Sequence, residues 1–177
     1  MEETHERNAG IPPLSKQNAV VGVGELAISN NRDASISTYA LGSCIAVAAY
    51  DSQTRSGGII HIMLPDSSLS PDKAQRQPAM FADTGLPLLL QRLNEFNVER
   101  RNLRAFVAGG ASIISGSDMF KVGERNIEAV KKAVTSLALP VIKTDIGGVN
   151  NRSLQLALET GTVMLKTVHG TSTISLA

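Results

Sequence analysis

Aromatic side chains are scarce in this chain: there is no tryptophan, and only two tyrosines and four phenylalanines occur in 177 residues. Stacking platforms for bases are thereby nearly excluded, and the core has to be built from aliphatic and small side chains. Cysteine occurs once, which excludes an intramolecular disulfide and a cysteine-rich metal site. An excess of one charge is lacking as well. Seventeen Lys and Arg oppose sixteen Asp and Glu, a formal net charge of +1, so there is no basic field of the kind that attracts nucleic acid. No run approaches the roughly 20 apolar residues of a membrane-spanning helix. The opening residues, MEETHERNAGIPPLSKQN, lack the apolar segment of a secretion signal. A cytoplasmic protein with neither nucleic-acid binding nor membrane insertion is expected. What the chain does have, 42% hydrophobic and 19% charged residues, suits one globular domain.

Residues 1–17 combine charge, Asn and a Pro-Pro pair without apolar periodicity and read as a flexible N-terminal arm. Residues 18–170 read as a single domain, and 171–177 as a C-terminal tail. Within the domain, AVVGVGELAI (19–28) reads as one strand with a bulge at Gly22 or Gly24. CIAVAAY (44–50) and GIIHIML (58–64), joined by a Gly-containing loop, read as a hairpin. The stretch 65–78 has loop composition and the length of a functional flap. A helix over 79–96 must accommodate Pro87 in its first turn or kink. LRAFVAGG (103–110) is strand-like, and Ile127, Val130, Val134 and Leu137 line one face of a second helix. PVIKTDIGG, RSLQLALE and TVMLKTV supply three further strands. Many strands with two clear helices that do not strictly alternate imply an α+β fold, a layered sandwich of mixed β-sheets with flanking helices.

The chemistry concentrates in Thr38-Tyr39-Ala40-Leu41-Gly42-Ser43-Cys44, where the single thiol follows a Gly-Ser corner at the entrance to a strand. A lone cysteine is by default a buried small hydrophobe, and a lone histidine such as His61 within IIHIML is by default a hydrogen-bonded core residue. The hairpin changes that balance, because it brings the start of one strand beside the next. Cys and His together are the minimal apparatus of covalent acyl transfer. Thr38 is the candidate to orient the imidazole, and the backbone near Gly42 and Ser43 could hold an oxyanion or position the substrate. His5 and His169 read as solvated or structural. Gly109-Gly110-Ala111-Ser112 lacks the Lys-Ser/Thr of a phosphate loop. Gly123-Glu124-Arg125-Asn126, Asp145-Ile146-Gly147-Gly148 and Asn150-Asn151-Arg152 read as structural supports.

These blocks line up in order with a known family. Gly24-Glu25, Thr38, Leu41-Gly42-Ser43-Cys44, Tyr50-Asp51, Gly58, His61-Ile62-Met63-Leu64-Pro65, Phe81-Ala82-Asp83-Thr84, Gly109-Gly110-Ala111, Gly123-Glu124-Arg125-Asn126, Asp145-Ile146-Gly147-Gly148, Arg152 and Thr160-Gly161 resemble the CheD family of bacterial chemoreceptor glutamine deamidases. The likeness runs from about residue 20 to 168. It implies a layered α/β sandwich with Cys44 as nucleophile, His61 as general base and acid, and Thr38 as the supporting third residue. It also implies release of ammonia from glutamines on the cytoplasmic helical domain of chemoreceptors, without cofactor or metal. A CheC-type chemotaxis phosphatase is the further partner it suggests. Two other readings stay open: a non-catalytic adaptor that binds chemoreceptors or the phosphatase, and a Cys–His amidase acting on a small metabolite.

Overall fold

The computed structural model describes residues 18–112 and 121–177. The arm assigned to residues 1–17, His5 included, lies outside the described residues. Among the described residues, ten strands form two five-stranded sheets. The first sheet holds β1 (Asn18–Val20), β3 (Ser35–Leu41), β8 (Arg152–Ala157), β9 (Thr162–Thr167) and β10 (Gly170–Ser175) in that order. The second holds β2 (Leu26–Ser29), β5 (Ser56–Ile62), β4 (Ile45–Asp51), β6 (Leu103–Gly109) and β7 (Val141–Ile146). The pairs β1/β3 and β6/β7 are parallel and the remainder antiparallel, so both sheets are mixed. Helices α2 (Ala82–Asn94) and α3 (Val122–Ser136) cover the outer face of the second sheet, completing the layered α+β sandwich the element pattern implies. No helix of the described residues is long and apolar enough to cross a membrane.

Two cores result. Between the sheets, Ala46, Ala48, Tyr50, Ile59 and Phe106 meet Ile36, Leu154, Leu156, Val163 and Leu165. On the other side, Ile45, Val47, Ile60 and Ile62 meet Leu86, Leu89 and Leu93 of α2 and Val130 of α3. The central strands β4 and β5 are therefore buried on both faces, all seven residues of each. Their near-continuous apolar sequences, with little in–out alternation, are what a doubly covered strand requires. Each fully buried Leu or Ile adds about 1.5–3 kcal/mol of hydrophobic stabilisation, and the alanines of β4 let the layers approach.

Several local expectations need correction. The run 19–28 is not one strand: it breaks at a turn where Gly24 adopts φ +73°, and its halves β1 and β2 belong to different sheets. The left-handed backbone there is cheap only for glycine. The 65–78 stretch is not loop throughout. It contains 3₁₀ turns at Ser67–Leu69 and Pro78–Met80 flanking α1 (Pro71–Arg76). Asp66 caps the first turn by accepting from the Ser68 N–H, and Pro71 and Pro78 occupy helix-start positions where a missing N–H costs nothing. Helix α2, expected over 79–96, starts three residues later than the composition suggests, and Pro87 lies in its second turn. Residues 171–177, set apart as a tail, carry β10, which pairs with β9 along its length and buries Ile174 and Leu176.

Candidate active site

The β4–β5 hairpin sets Ala46 directly opposite His61. Residues directly opposite in an antiparallel pair share a face, so His61 points into the space between the sheets with Ala46 and Ile59. Cys44 lies two residues before Ala46, on the same side and diagonal to His61, a placement for which about 7–8 Å between Cα atoms is usual. It is half-buried against the inter-sheet core, whereas His61 is almost wholly buried.

Thr38 arrives from the opposite sheet. The β3/β8 register shifts between Thr38 and Leu41, and Ala40 adopts φ +56°, the marks of a β-bulge. Strict alternation would put Thr38 and Ala40 on one face. The bulge turns both Thr38 and Leu41 inward while Tyr39 and Ala40 stay exposed. The chain then reverses through Gly42-Ser43 into Cys44.

The hydrogen bonds settle the state of the imidazole. The Thr38 hydroxyl donates to the carbonyl of Val21 at 2.8 Å, and its oxygen lies 2.8 Å from His61 Nδ1. A hydroxyl has one proton, and here it is committed to Val21. The threonine oxygen must therefore accept from Nδ1–H. In the neutral ring this leaves Nε2 as a bare lone pair, and that atom is buried with no hydrogen-bond partner among the described residues. The backbone of His61 is also fixed, its carbonyl accepting from Gly24 N–H at 2.8 Å and its N–H donating to Glu25 at 2.9 Å. Burial pushes the His61 pKa below its ordinary value. Burial likewise pushes the Cys44 thiol up, partly offset by the residue's own backbone N–H. Both shifts disfavour a preformed thiolate–imidazolium ion pair, and the Cys44 sulfur is not a hydrogen-bond partner of Nε2. A neutral imidazole can accept a proton on demand.

The Gly42–Cys44 turn has its three carbonyls held from behind. Ala111 N–H donates to Gly42 and Gly110 N–H to Cys44, both at 2.8 Å, and the side-chain amide of Asn126 donates to Ser43 at 2.9 Å. Among the described residues the N–H groups of Gly42, Ser43 and Cys44 have no main-chain carbonyl partner. Free backbone amides beside a thiol are material from which an oxyanion hole can be built. The Gly109-Gly110 pair makes the support possible. At Gly109, with φ +118°, a β-carbon would collide with the Cys44 carbonyl oxygen, and at Gly110, with φ +70°, it would run into the Ile127 side chain. This explains the glycine pair without any phosphate-binding role.

The remaining motifs fall into place around this centre. Arg152, nearly buried, forms an ion pair with Asp145 at 2.7 Å and ties β8 of one sheet to β7 of the other, a structural support as expected. His169 is exposed and 2.9 Å from Asn150, away from the Cys–His pair in the bonding pattern. Met80, two residues past the 65–78 stretch, accepts through its carbonyl from the Met63 and Leu64 N–H groups just beyond His61. Sequence reasoning missed the Val21 carbonyl, and read Asn126 only as one member of a structural support, without its partners. Those partners had a signal: with Gly123 and Val130, Asn126 occupies the buried stripe of α3, where an uncharged polar residue calls for a partner.

Residues 63–167 match the family model for CheD, described as CheD chemotactic sensory transduction. The chain is 41% identical over 151 residues to a probable chemoreceptor glutamine deamidase CheD 1 of Syntrophus aciditrophicus, covering 85% of this chain and 94% of that one. It is 43% identical over 137 residues to the chemoreceptor glutamine deamidase CheD of Halalkalibacterium halodurans, covering 76% and 84%. A probable chemoreceptor glutamine deamidase CheD of Solibacter usitatus is 36% identical over 147 residues, covering 83% and 87%.

Proposed function

The chain belongs to the CheD family, and from that membership we propose that it is a protein-glutamine deamidase that converts glutamines of chemoreceptors to glutamate through a Cys44 thioester. The observation that carries the mechanism is the Val21–Thr38–His61 relay, which leaves Nε2 bare on the side of the sheet that also bears Cys44. His61 Nε2 takes the thiol proton as sulfur attacks the glutamine side-chain carbonyl carbon. The resulting oxyanion is met by the free N–H groups of the Gly42–Cys44 turn, with Gly42 and Ser43 as its positioning residues. The imidazolium then returns its proton to the carboxamide nitrogen, the C–N bond breaks and ammonia leaves a thioester. Water, deprotonated by the same Nε2, attacks the thioester; the thiolate departs, regains the proton, and glutamate is released. Glutamine and water thus become glutamate and ammonia, with no cofactor in the balance.

The reaction belongs in the cytoplasm, on the helical domain of the receptor, where each new carboxylate alters charge repulsion along the helix. A CheC-type phosphatase is a second partner within this proposal. Incubating receptor cytoplasmic fragments with wild-type protein, Cys44→Ala and His61→Ala, and following Gln-to-Glu conversion by mass spectrometry, tests the reading. Conversion by wild type alone is expected; conversion by either folded variant would eliminate the thioester route.

A further inference from the structure

Asn126 is fully buried in α3, and both protons of its side-chain amide are spent on main-chain carbonyls, Ser43 and Met63, each at 2.9 Å. Those two residues come from different parts of the site. Ser43 immediately precedes Cys44, and its carbonyl belongs to the same peptide unit as the Cys44 N–H. Met63 lies two residues beyond His61, where the chain leaves β5. The orientation of the amide is forced, because the opposite one would set its oxygen against two carbonyl oxygens. In the orientation present, Asn126 Oδ1 is buried without a partner among the described residues. Among the described residues only one other buried side-chain polar atom shares that condition, His61 Nε2, which the reaction uses. An orphaned acceptor is retained at 126 although an apolar side chain would avoid it. The two donors are therefore what the position requires.

We propose that Asn126 is a positioning residue for deamidation, a two-donor clamp that fixes the Cys44 turn relative to the strand carrying His61. This rests on the proposed function above. The clamp complements the contacts from Gly110 and Ala111: these hold the carbonyls of Gly42 and Cys44, and Asn126 holds the one between them. In a trans peptide the C=O and N–H point opposite ways, so holding the carbonyls of Gly42 and Ser43 turns the N–H groups of Ser43 and Cys44 away from these donors, toward where the oxyanion forms. Releasing the middle carbonyl lets the turn rotate and separates the thiol and its amides from Nε2. Misplacement of reacting groups by about an ångström costs on the order of 100-fold in rate.

The test uses full-length Asn126→Asp, which keeps shape and removes both donors, and Asn126→Ser, which shortens the reach. Deamidation kinetics are measured on a receptor fragment well below each melting temperature, and iodoacetamide labelling of the sole cysteine is followed at pH 7.5. For Asn126→Ser, kcat is expected to fall about 100-fold with KM within about threefold of wild type. Labelling should meanwhile become faster, because a loosened turn hydrates a thiol that burial now protects. Asn126→Asp should lose turnover at least as completely. Opposite movement of turnover and labelling is not what simple loss of stability produces in a folded sample. Folded variants with wild-type kcat and wild-type labelling would overturn the clamp. If wild type itself fails to deamidate, the parent reading falls, and labelling alone then decides: unchanged labelling in the folded Ser variant overturns the clamp. If neither variant folds, side-chain amide exchange of Asn126 in the wild-type protein decides. Exchange as fast as that of an exposed Asn overturns the clamp, and strong protection lost after Cys44 alkylation supports it.

Discussion

Replacing Thr38 by valine removes one hydroxyl and retains the β-branched shape that β3 accommodates. In the native protein that hydroxyl donates to Val21 and accepts from His61 Nδ1, each over 2.8 Å. In the variant, a ring protonated at Nδ1 faces a methyl group at a contact where both residues are buried. An unsatisfied buried donor costs about 1–3 kcal/mol. The ring escapes that cost by carrying its proton on Nε2, the tautomer that cannot accept from the thiol. The imidazolium formed during reaction has no such escape, since both nitrogens then bear protons. At about 1.4 kcal/mol per factor of ten, kcat should fall roughly 5- to 150-fold. KM should change little, because Thr38 is fully buried and out of reach of a protein substrate. The assay is initial-rate ammonia release from a receptor fragment, with denaturation midpoints measured separately, because the orphaned Val21 carbonyl also lowers stability. Thr38→Ser retains both hydrogen bonds and should stay within a few-fold of wild type. A folded Thr38→Val protein with kcat within twofold of wild type would refute the tautomer argument.

Two further outcomes follow from the same geometry. The proposed mechanism requires a neutral His61 and a protonated thiol in the free enzyme, and protonation of the imidazole removes the base. Because burial lowers that pKa from 6.5, the acid limb of kcat/KM should be centred below pH 6.5, and since the thiol is raised from 9.0, any thiol-linked alkaline limb should lie above pH 9.0. An acid midpoint at or above 6.5 in a pH–rate profile contradicts the assigned environment. Gly109→Ala should lower stability by on the order of 2–4 kcal/mol and reduce turnover, because its β-carbon must displace the Cys44 carbonyl. Gly148→Ala is the control. It also has positive φ but no described residue within 4 Å of the new carbon, so it should cost about 1–2 kcal/mol and leave turnover unchanged.

By itself the sequence determined the elements whose signal is local and whose burial is complete. The hairpin of β4 and β5 was legible because a strand covered on both faces reads as an unbroken apolar run between turn residues, and α3 because its apolar stripe repeats at helical spacing. Cys44, His61 and Thr38 stood out as residue types at informative positions, and their ordered motifs marked the family. Only the tertiary structure decided where the chain changes sheets. Gly24 reads as a bulge or a turn with equal ease, and the choice depends on which sheet offers the next edge. The strand at 170–175 carries little hydrophobic signal, because it lies at an edge and buries only Ile174 of its own residues. The tautomer of His61 depends on a backbone carbonyl, Val21, which no side-chain pattern announces. Asn126 joins two segments 83 and 63 residues away. Hydrogen bonds at such separations leave no periodic trace in a sequence, since they come into being only when the packed layers bring their partners together.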